Sequence, residues 1–600
     1  MDTTAPHWDL SNVYPGLDSS NFKSALSEVQ RQIDDMEAFF SRNIANSGPQ
    51  TAASELAASA GQLIKRFNAL AELAWTVEAY IGSFVATDSY NQQAKRLESE
   101  FDMQTVRVRK LGVQAQAWIG RIAASIPEVL RLDATAAEHA FYLQENATQS
   151  KYLMSQAEES LAAELSLSST NLWGKLQGTI TSQLSVDFEL DGKPQKLPMP
   201  ALINLRSHPD ETVRRRAYEA ELLAWESVKE PLAAAMNGIK GTVNTLNSHR
   251  GRTDALHASI DAARIDRPTL EALLSAVEDS FPMFRRYFIA KARKLGKERL
   301  AWWDLFAPLG KTDTTYSWEQ TRAFILENFA AFAPELADLA RRAFDRGWID
   351  AEMRSGKRGG AFCMPVPAVR ESRVLCNFDG SLDQVSTIAH ELGHAFHNHC
   401  AFAAGKTMLQ QDTPMTLAET ASIMCETIIS QAVLRQAGSA AERLAVLEIA
   451  LNNASQVSVD IYSRYLFEKE VFERRSTAEL SADELCDIME RAQRATYGDG
   501  LDERFLQKFM WTWKPHYYSA GLSFYNYPYT FGLLFGTGLY AIYQRKGAAF
   551  VPDYINLLAS TGEASAADLA DRFGIDIRTK QFWAGSLAII GQQIEQYERL

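Results

Sequence analysis

From Ser20 to about Lys175 the chain carries apolar residues at three- and four-residue spacing, with little proline or glycine, as in QAKRLESEFDMQTVRVRKLGVQAQAWIGRIAASI. That period lays one apolar stripe along each helix and is incompatible with the two-residue alternation of a half-buried strand. It predicts a predominantly α-helical protein built from several long antiparallel helices. Two places break the pattern. QLSVDFEL and KPQKLPMP are extended runs joined at Asp191-Gly192, a hairpin-turn dipeptide. They mark an expected boundary between an N-terminal helical lobe, residues 1–195, and a second region, residues 196–600. Between Gly359 and Phe378, RGGAFCMPVPAV and RVLCNF are short extended runs with Pro365 and Pro367 between them. Proline cannot donate to a central ladder, so an open sheet edge is expected there, and an open edge is where an extended peptide can add as a strand.

Bulk properties narrow the function classes. The 600 residues carry 61 basic against 74 acidic side chains, a net charge of −13. No basic face is available to neutralise phosphates, which argues against a nucleic-acid partner. Five scattered cysteines include no Cys-x-x-Cys pair, so neither a disulfide framework nor a thiolate zinc site is expected. The opening MDTTAPHWDLSNVYPG has no basic then apolar leader, and the nearly apolar stretch Thr530–Tyr543 is too short for a bilayer. The expectation is a cytoplasmic protein with no membrane partner, its oligomeric state left open.

The chemistry is concentrated in STIAHELGHAFHNHC. Ser381-Leu382-Asp383-Gln384 fits a helix-opening capping box. His390 and His394 then fall at i and i+4, one turn apart on one helix face, where two imidazoles converge on a single ion. Zinc suits imidazole ligands and keeps a position for water. Glu391 follows the first histidine and is placed to take that water's proton as general base. The flanking Ile388, Ala389, Leu392 and Ala395 make this a buried helix, where unpaired histidines would be costly.

Two histidines and a base leave the site one ligand short. Metzincins carry glycine three residues after the second histidine and a third histidine three beyond it; here those positions are His397 and Cys400. A carboxylate from a later helix is the alternative. Glu419 and Glu426 are the first glutamates after Glu391, seven residues apart on one face of a helix opened by Thr413-Pro414. Glu419 as ligand, with Glu426 holding a ligand histidine from behind, is one reading; a capping-box glutamate paired with Thr416 and a surface carboxylate are the other. His397 shares the stripe of His390, but three ligands from one helix cannot close around one ion, so it reads as a neighbour of the ligands. A third block, Trp511–Tyr543, packs 12 aromatics into 33 residues together with His516. Most are core rings; His516, Tyr525, Tyr527 and Tyr529 are the candidates for donors to a developing oxyanion.

WDLSNVYPG, GKRGGAF, LCNFDGSLDQVSTIAHELGHAFH, LAETASIMCE and PHYYSAGLSFYNYPYTFG together resemble the oligoendopeptidase F family of thimet-oligopeptidase-like zinc metallopeptidases, over essentially the whole chain. The resemblance implies one zinc held by His390, His394 and Glu419, with Glu391 as catalytic base and His516 and Tyr527 as transition-state donors. It also implies two helical lobes around a deep channel that admits short unfolded oligopeptides. The Gly359-Gly360 loop is implied to be mobile and to meet the substrate backbone, with Tyr525 and Tyr529 nearby. Phe524 stands where the thimet branch has a tyrosine, so the resemblance does not fix which tyrosine donates.

Overall fold

The periodic N-terminal stretch folds as helices α1 (Ser20–Phe39), α2 (Ala53–Thr87) and α3 (Gln92–Arg121) in a computed structural model that describes residues 5–310 and 315–600. Side-chain caps start two of them: Ser19 Oγ accepts from the Phe22 N–H, and Asn91 Oδ1 from the Ala94 N–H. On α1 the buried residues Phe22, Ala25, Val29, Ile33 and Met36 recur every three or four positions. They meet Leu63, Ile64 and Tyr80 of α2 and Trp118 of α3 in one apolar core. The expectation of a predominantly helical fold with small sheets is what the structure shows.

The chain divides into two compact units. The first comprises Met1–Leu153, Thr314–Ala432 and Ile542–Gly574; the second comprises Met154–Asp313, Val433–Ala541 and Ile575–Leu600. The second unit has its own core, which includes Trp225, Met236, Ile239, Phe467 and Trp511. It also holds the hairpin of β1 (Ser185–Leu190) and β2 (Lys193–Pro198). Asp191 and Gly192 both adopt positive φ, 53° and 72°, the two-residue turn that matches strand twist.

The first unit holds a three-stranded sheet in the order β3-β5-β4. Here β3 (Ile349–Asp350) runs parallel to β5 (Glu371–Leu375), and β4 (Phe362–Val366) runs antiparallel to β5 with Pro365 opposite Ser372. As the prolines require, β4 is an edge. The two-residue β3 is too short to leave a periodic signal in sequence. The N-terminal WDLSNVYPG segment is pinned against this sheet. The Ala351 N–H donates to the Pro6 carbonyl at 2.8 Å and the Asp9 N–H to the Gly347 carbonyl at 2.6 Å. The Arg373 guanidinium, 1% exposed, donates to the Asp9 carbonyl, Asn12 Oδ1 and Glu371 Oε2 at 3.0, 2.7 and 2.9 Å.

Met415–Gln436 is long and apolar enough to cross a membrane by length and composition, although it contains Glu419 and Glu426. Its most apolar window is 56% buried inside the fold, as the core helix of a folded domain is.

Arg373→Met removes the hydrogen bonds that the buried guanidinium makes to Asp9, Asn12 and Glu371 and is expected to cost about 2 kcal/mol of stability. Residues 5–16 should also become protease-sensitive, read by denaturant titration and limited digestion; parental stability would contradict this role.

Candidate metal centre

Helix Leu382–Ala403 opens at Ser381, whose Oγ accepts from the Gln384 N–H at 3.3 Å. The Ser381 N–H donates instead to Asp379 Oδ1 at 2.8 Å, so only half of the expected capping box forms. Val385, Ile388, Ala389, Leu392 and Phe396 are buried, and the helix packs on β4 and β5. The rings of His390 and His394 stand 5.0 Å apart, centroid to centroid.

What brings carboxylates to these rings is a glycine. A Cβ placed on Gly393 would lie 2.6 Å from the Ala421 carbonyl oxygen and 2.6 Å from the Ser422 Cα. The helix carrying the histidines therefore touches the backbone of helix Thr420–Gln436 directly, and no larger residue fits the crossing. Glu419 sits at the break between the short helix Met415–Ala418 and helix 420–436, with φ −85° and ψ 2°. The sequence predicts one helix through this point; the break turns Glu419 toward the histidines. Its Oε2 lies 3.3 Å from His390 Nε2 and 3.5 Å from His394 Nε2, and it accepts from Ser422 Oγ at 2.7 Å.

These three groups form a cluster whose donor atoms all lie within 4.8 Å of one another. Ligands about 2.0–2.1 Å from a tetrahedral ion are separated by about 3.4 Å, the spacing seen from Glu419 to each histidine. An outer contact is also in place. Glu426 Oε2 lies 3.2 Å from His390 Nδ1, so that ring has one nitrogen held and its Nε2 turned toward Glu419.

Charge favours a cation at the same point. Burial pulls His394 down to about 4, with Glu419 opposing, which keeps it a neutral donor. Burial also acts to lower His390, but its bonds to Glu419 and Glu426 outweigh it and lift the ring to about 10. An imidazole between two carboxylates calls for positive charge, which a divalent ion supplies as well as a proton does. Glu419 is held low despite burial, by its bond to His390 and the charge of both histidines.

Glu391 is 6% exposed, and its Oε2 is buried with no hydrogen-bond partner among the described residues. Burial raises it to about 7, with His390 opposing and Glu419 adding to the rise. An orphaned carboxylate oxygen in this setting fits a proton acceptor facing a bound ion's water. Burial, then Glu391, raises the Cys363 thiol, and neither Cys363 nor Cys376 belongs to the donor cluster.

The other candidates divide between the two units. In the first, His397 lies outside the donor cluster: its Nε2 is 2.9 Å from Thr561 Oγ1. A Cβ on Gly359 or Gly360 would meet nothing within 4 Å, and Gly360 adopts φ +81°, the left-handed region that favours glycine. Asn377 Nδ2 donates to the Arg358 and Gly360 carbonyls at 3.1 and 2.8 Å.

In the second unit, His516 is buried, accepts from Asn526 Nδ2 at 2.7 Å and stacks on Tyr525. Burial first, then Arg464, Lys240 and Lys514, push it down to about 2, so the ring is neutral. The Tyr525 and Tyr529 hydroxyls pair at 2.7 Å on partly exposed rings. Tyr527 is 1% exposed, with Ser259 Oγ donating to its hydroxyl at 3.3 Å. Sequence reading missed the support of this cluster. Phe524 takes φ 55° and donates its N–H to Glu468, itself paired with buried Lys240 at 2.6 Å. It also missed Ser422, although the small pair Ala421-Ser422 facing Gly393 is a signal for close helix approach.

Gly393→Ala is expected to destabilise the chain by about 1–3 kcal/mol and to weaken metal affinity roughly tenfold or more, measured by competition with a calibrated chelator. Unchanged affinity would show that the crossing does not set the ligand geometry.

The model of peptidase family M3 matches residues 204–589, nearly two-thirds of the chain. "Oligoendopeptidase F, chromosomal" of Lactococcus lactis subsp. cremoris is 23% identical over 399 residues, which is 66% of this chain and 65%, just under two-thirds, of that protein's own length. Among solved structures, a chain from Chlamydophila abortus superposes with a TM-score of 0.85 at 18% identity, covering all of both chains. Oligoendopeptidase-F from Enterococcus faecium superposes at 0.70 and 17% identity, covering 96% of this chain and 98% of that one. With a family model matched along most of its length and a donor cluster formed from residues inside that match, the chain belongs to peptidase family M3.

Proposed function

We propose that this peptidase is a zinc-dependent endopeptidase that hydrolyses internal bonds of short unfolded oligopeptides, with one zinc per chain. The observation that carries the reading is the convergence of His390, His394 and Glu419 beside the orphaned carboxylate of Glu391. Two imidazoles and a carboxylate with no thiolate are a donor set that zinc uses when it keeps a position for water. Bound there, zinc supplies Lewis acidity and lowers the pKa of water from near 16 to about 7. Glu391 takes the proton of the attacking water and returns it to the amine nitrogen as the peptide bond breaks. Burial, which raises the Glu391 carboxyl, helps it hold a proton between the two transfers. Glu426 holds the His390 imidazole in the orientation that presents its Nε2 to Glu419. The edge strand β4, packed against the histidine helix, offers unpaired backbone to an extended chain. That supports peptides as substrates, and the printed name of the Lactococcus relative supports oligopeptides in particular.

Glu391→Gln removes the proton acceptor and leaves the three ligands. It should retain one zinc per chain by elemental analysis while kcat falls by roughly 10²–10⁴. Cleavage at the parental rate would refute the assigned base.

Transition-state donation by His516 and a tyrosine is proposed from the sequence resemblance, and the second unit's own geometry narrows it. The Tyr525 and Tyr529 hydroxyls sit on partly exposed rings, whereas the Tyr527 hydroxyl is buried against Ser259. Tyr525→Phe is expected to lower kcat by roughly 10²-fold with little change in KM, and Tyr527→Phe to act mainly on stability. The reverse pattern in steady-state kinetics would return the role to Tyr527.

A further inference from the structure

The first unit contains a cavity of about 930 Å³ between α2, α3 and the outer side of β4, large for a side-chain subsite and within the range of ligand pockets. Its apolar wall includes Trp75, Phe101, Phe362 and Met364. Phe362 and Met364 alternate along β4, so they share one face of the strand. Cys363, between them, falls on the other face. The edge strand packs both against helix Leu382–Ala403, which carries Glu391, and against α2, which lines the cavity. A peptide added along β4 alternates its side chains in the same way.

The cavity carries a definite charge. Glu78, Glu98 and Asp102 line it, and no hydrogen bond or ion pair to another described residue occupies them. Partial burial, then Asp102, raises Glu78, with Arg109 opposing and Glu98 adding to the rise. Two cations also line the cavity. Lys357 is already committed, donating to the Asp350, Glu352 and Cys376 carbonyls and lying 2.8 Å from Asp350 Oδ1. Arg358 lies over the Phe362 ring, 5.6 Å from its centroid. Three carboxylates against one available guanidinium leave the cavity negative. Aromatic faces beside carboxylates suit a cation on a long apolar stem.

We propose that this cavity is a specificity subsite for a lysine or arginine side chain of the substrate, borne on an alternate residue of a peptide strand paired with β4. The inference rests on the peptidase reading above and adds a substrate preference to it. The preference belongs to one parity of position: a basic residue should be favoured at positions two apart and not at the position between them.

The test uses zinc-loaded full-length enzyme and peptides acetylated at the N-terminus and amidated at the C-terminus, so that only side chains carry charge. Lysine is scanned along a norleucine-containing parent sequence, and the ratio of kcat/KM for lysine over norleucine is measured at each position. A ratio of roughly five- to twentyfold is expected at one position or two alternate positions, three surface-type charge contacts being combined, and it should shrink as salt rises from 0.05 to 0.5 M. Glu78→Gln with Asp102→Asn should bring that ratio toward one, and Glu78→Lys with Asp102→Lys should invert it in favour of glutamate. A ratio near one at every position in the parent, or a ratio that survives the neutral double variant, would overturn the subsite. Cleavage of the norleucine parent keeps the two claims separable: if that peptide is cut, an absent lysine preference refutes the subsite alone. If neither peptide is cut, the peptidase reading falls and the subsite with it.

Discussion

The cluster of His390, His394 and Glu419 depends on one contact between backbones. Gly393 lets the histidine helix lie against Ala421 and Ser422 with no room for a Cβ. That proximity sets how far Glu419 and Glu426 stand from His390, at 3.3 and 3.2 Å, and brings Glu419 within 3.5 Å of His394. A helix crossing held apart by ordinary side chains would be spaced 8–10 Å between axes or more, and carboxylates of this length would not close the ring of donors. Glycine costs helix stability in an exposed segment; here it lies in a buried helix whose other residues supply the apolar contact.

Burial then sharpens the electrostatics that the crossing arranges. Removing His394 from water keeps it neutral, the same effect raises Glu391, and the flanking carboxylates single out His390 as the point of greatest demand for positive charge. Beneath the helix the sheet supplies a rigid support and an unpaired edge. The sheet is itself fixed by Arg373, which ties it to the N-terminal segment. In the second unit a comparable device, the buried Lys240–Glu468 pair, holds Phe524 in a left-handed conformation next to Tyr525.

Much of this was legible in the chain. Helical periodicity is a local property, so the long N-terminal helices follow from it, as the hairpin follows from Asp191-Gly192 and the edge strand from its prolines. His390, Glu391 and His394 share a helix face by arithmetic alone. Glu419 was recognisable as an early carboxylate among apolar neighbours, but the break that aims it was not, because neither glycine nor proline marks it. The tyrosines show the limit most clearly: three candidates within five residues look alike in sequence, and only tertiary packing buries the Tyr527 hydroxyl while leaving the rings of Tyr525 and Tyr529 partly exposed. The acidic cavity was invisible for the same reason, since residues 75–102 and 356–365 meet only once folded.

The central claim is that a divalent ion held by His390, His394 and Glu419 is required for cutting short peptides. Digestion of a defined mixture of oligopeptides by native, chelator-stripped and zinc-restored enzyme, read by mass spectrometry, tests it most directly. The prediction is cleavage at internal bonds by native enzyme, its loss on stripping and its return with one equivalent of zinc. Cleavage undiminished in fully stripped protein would contradict it.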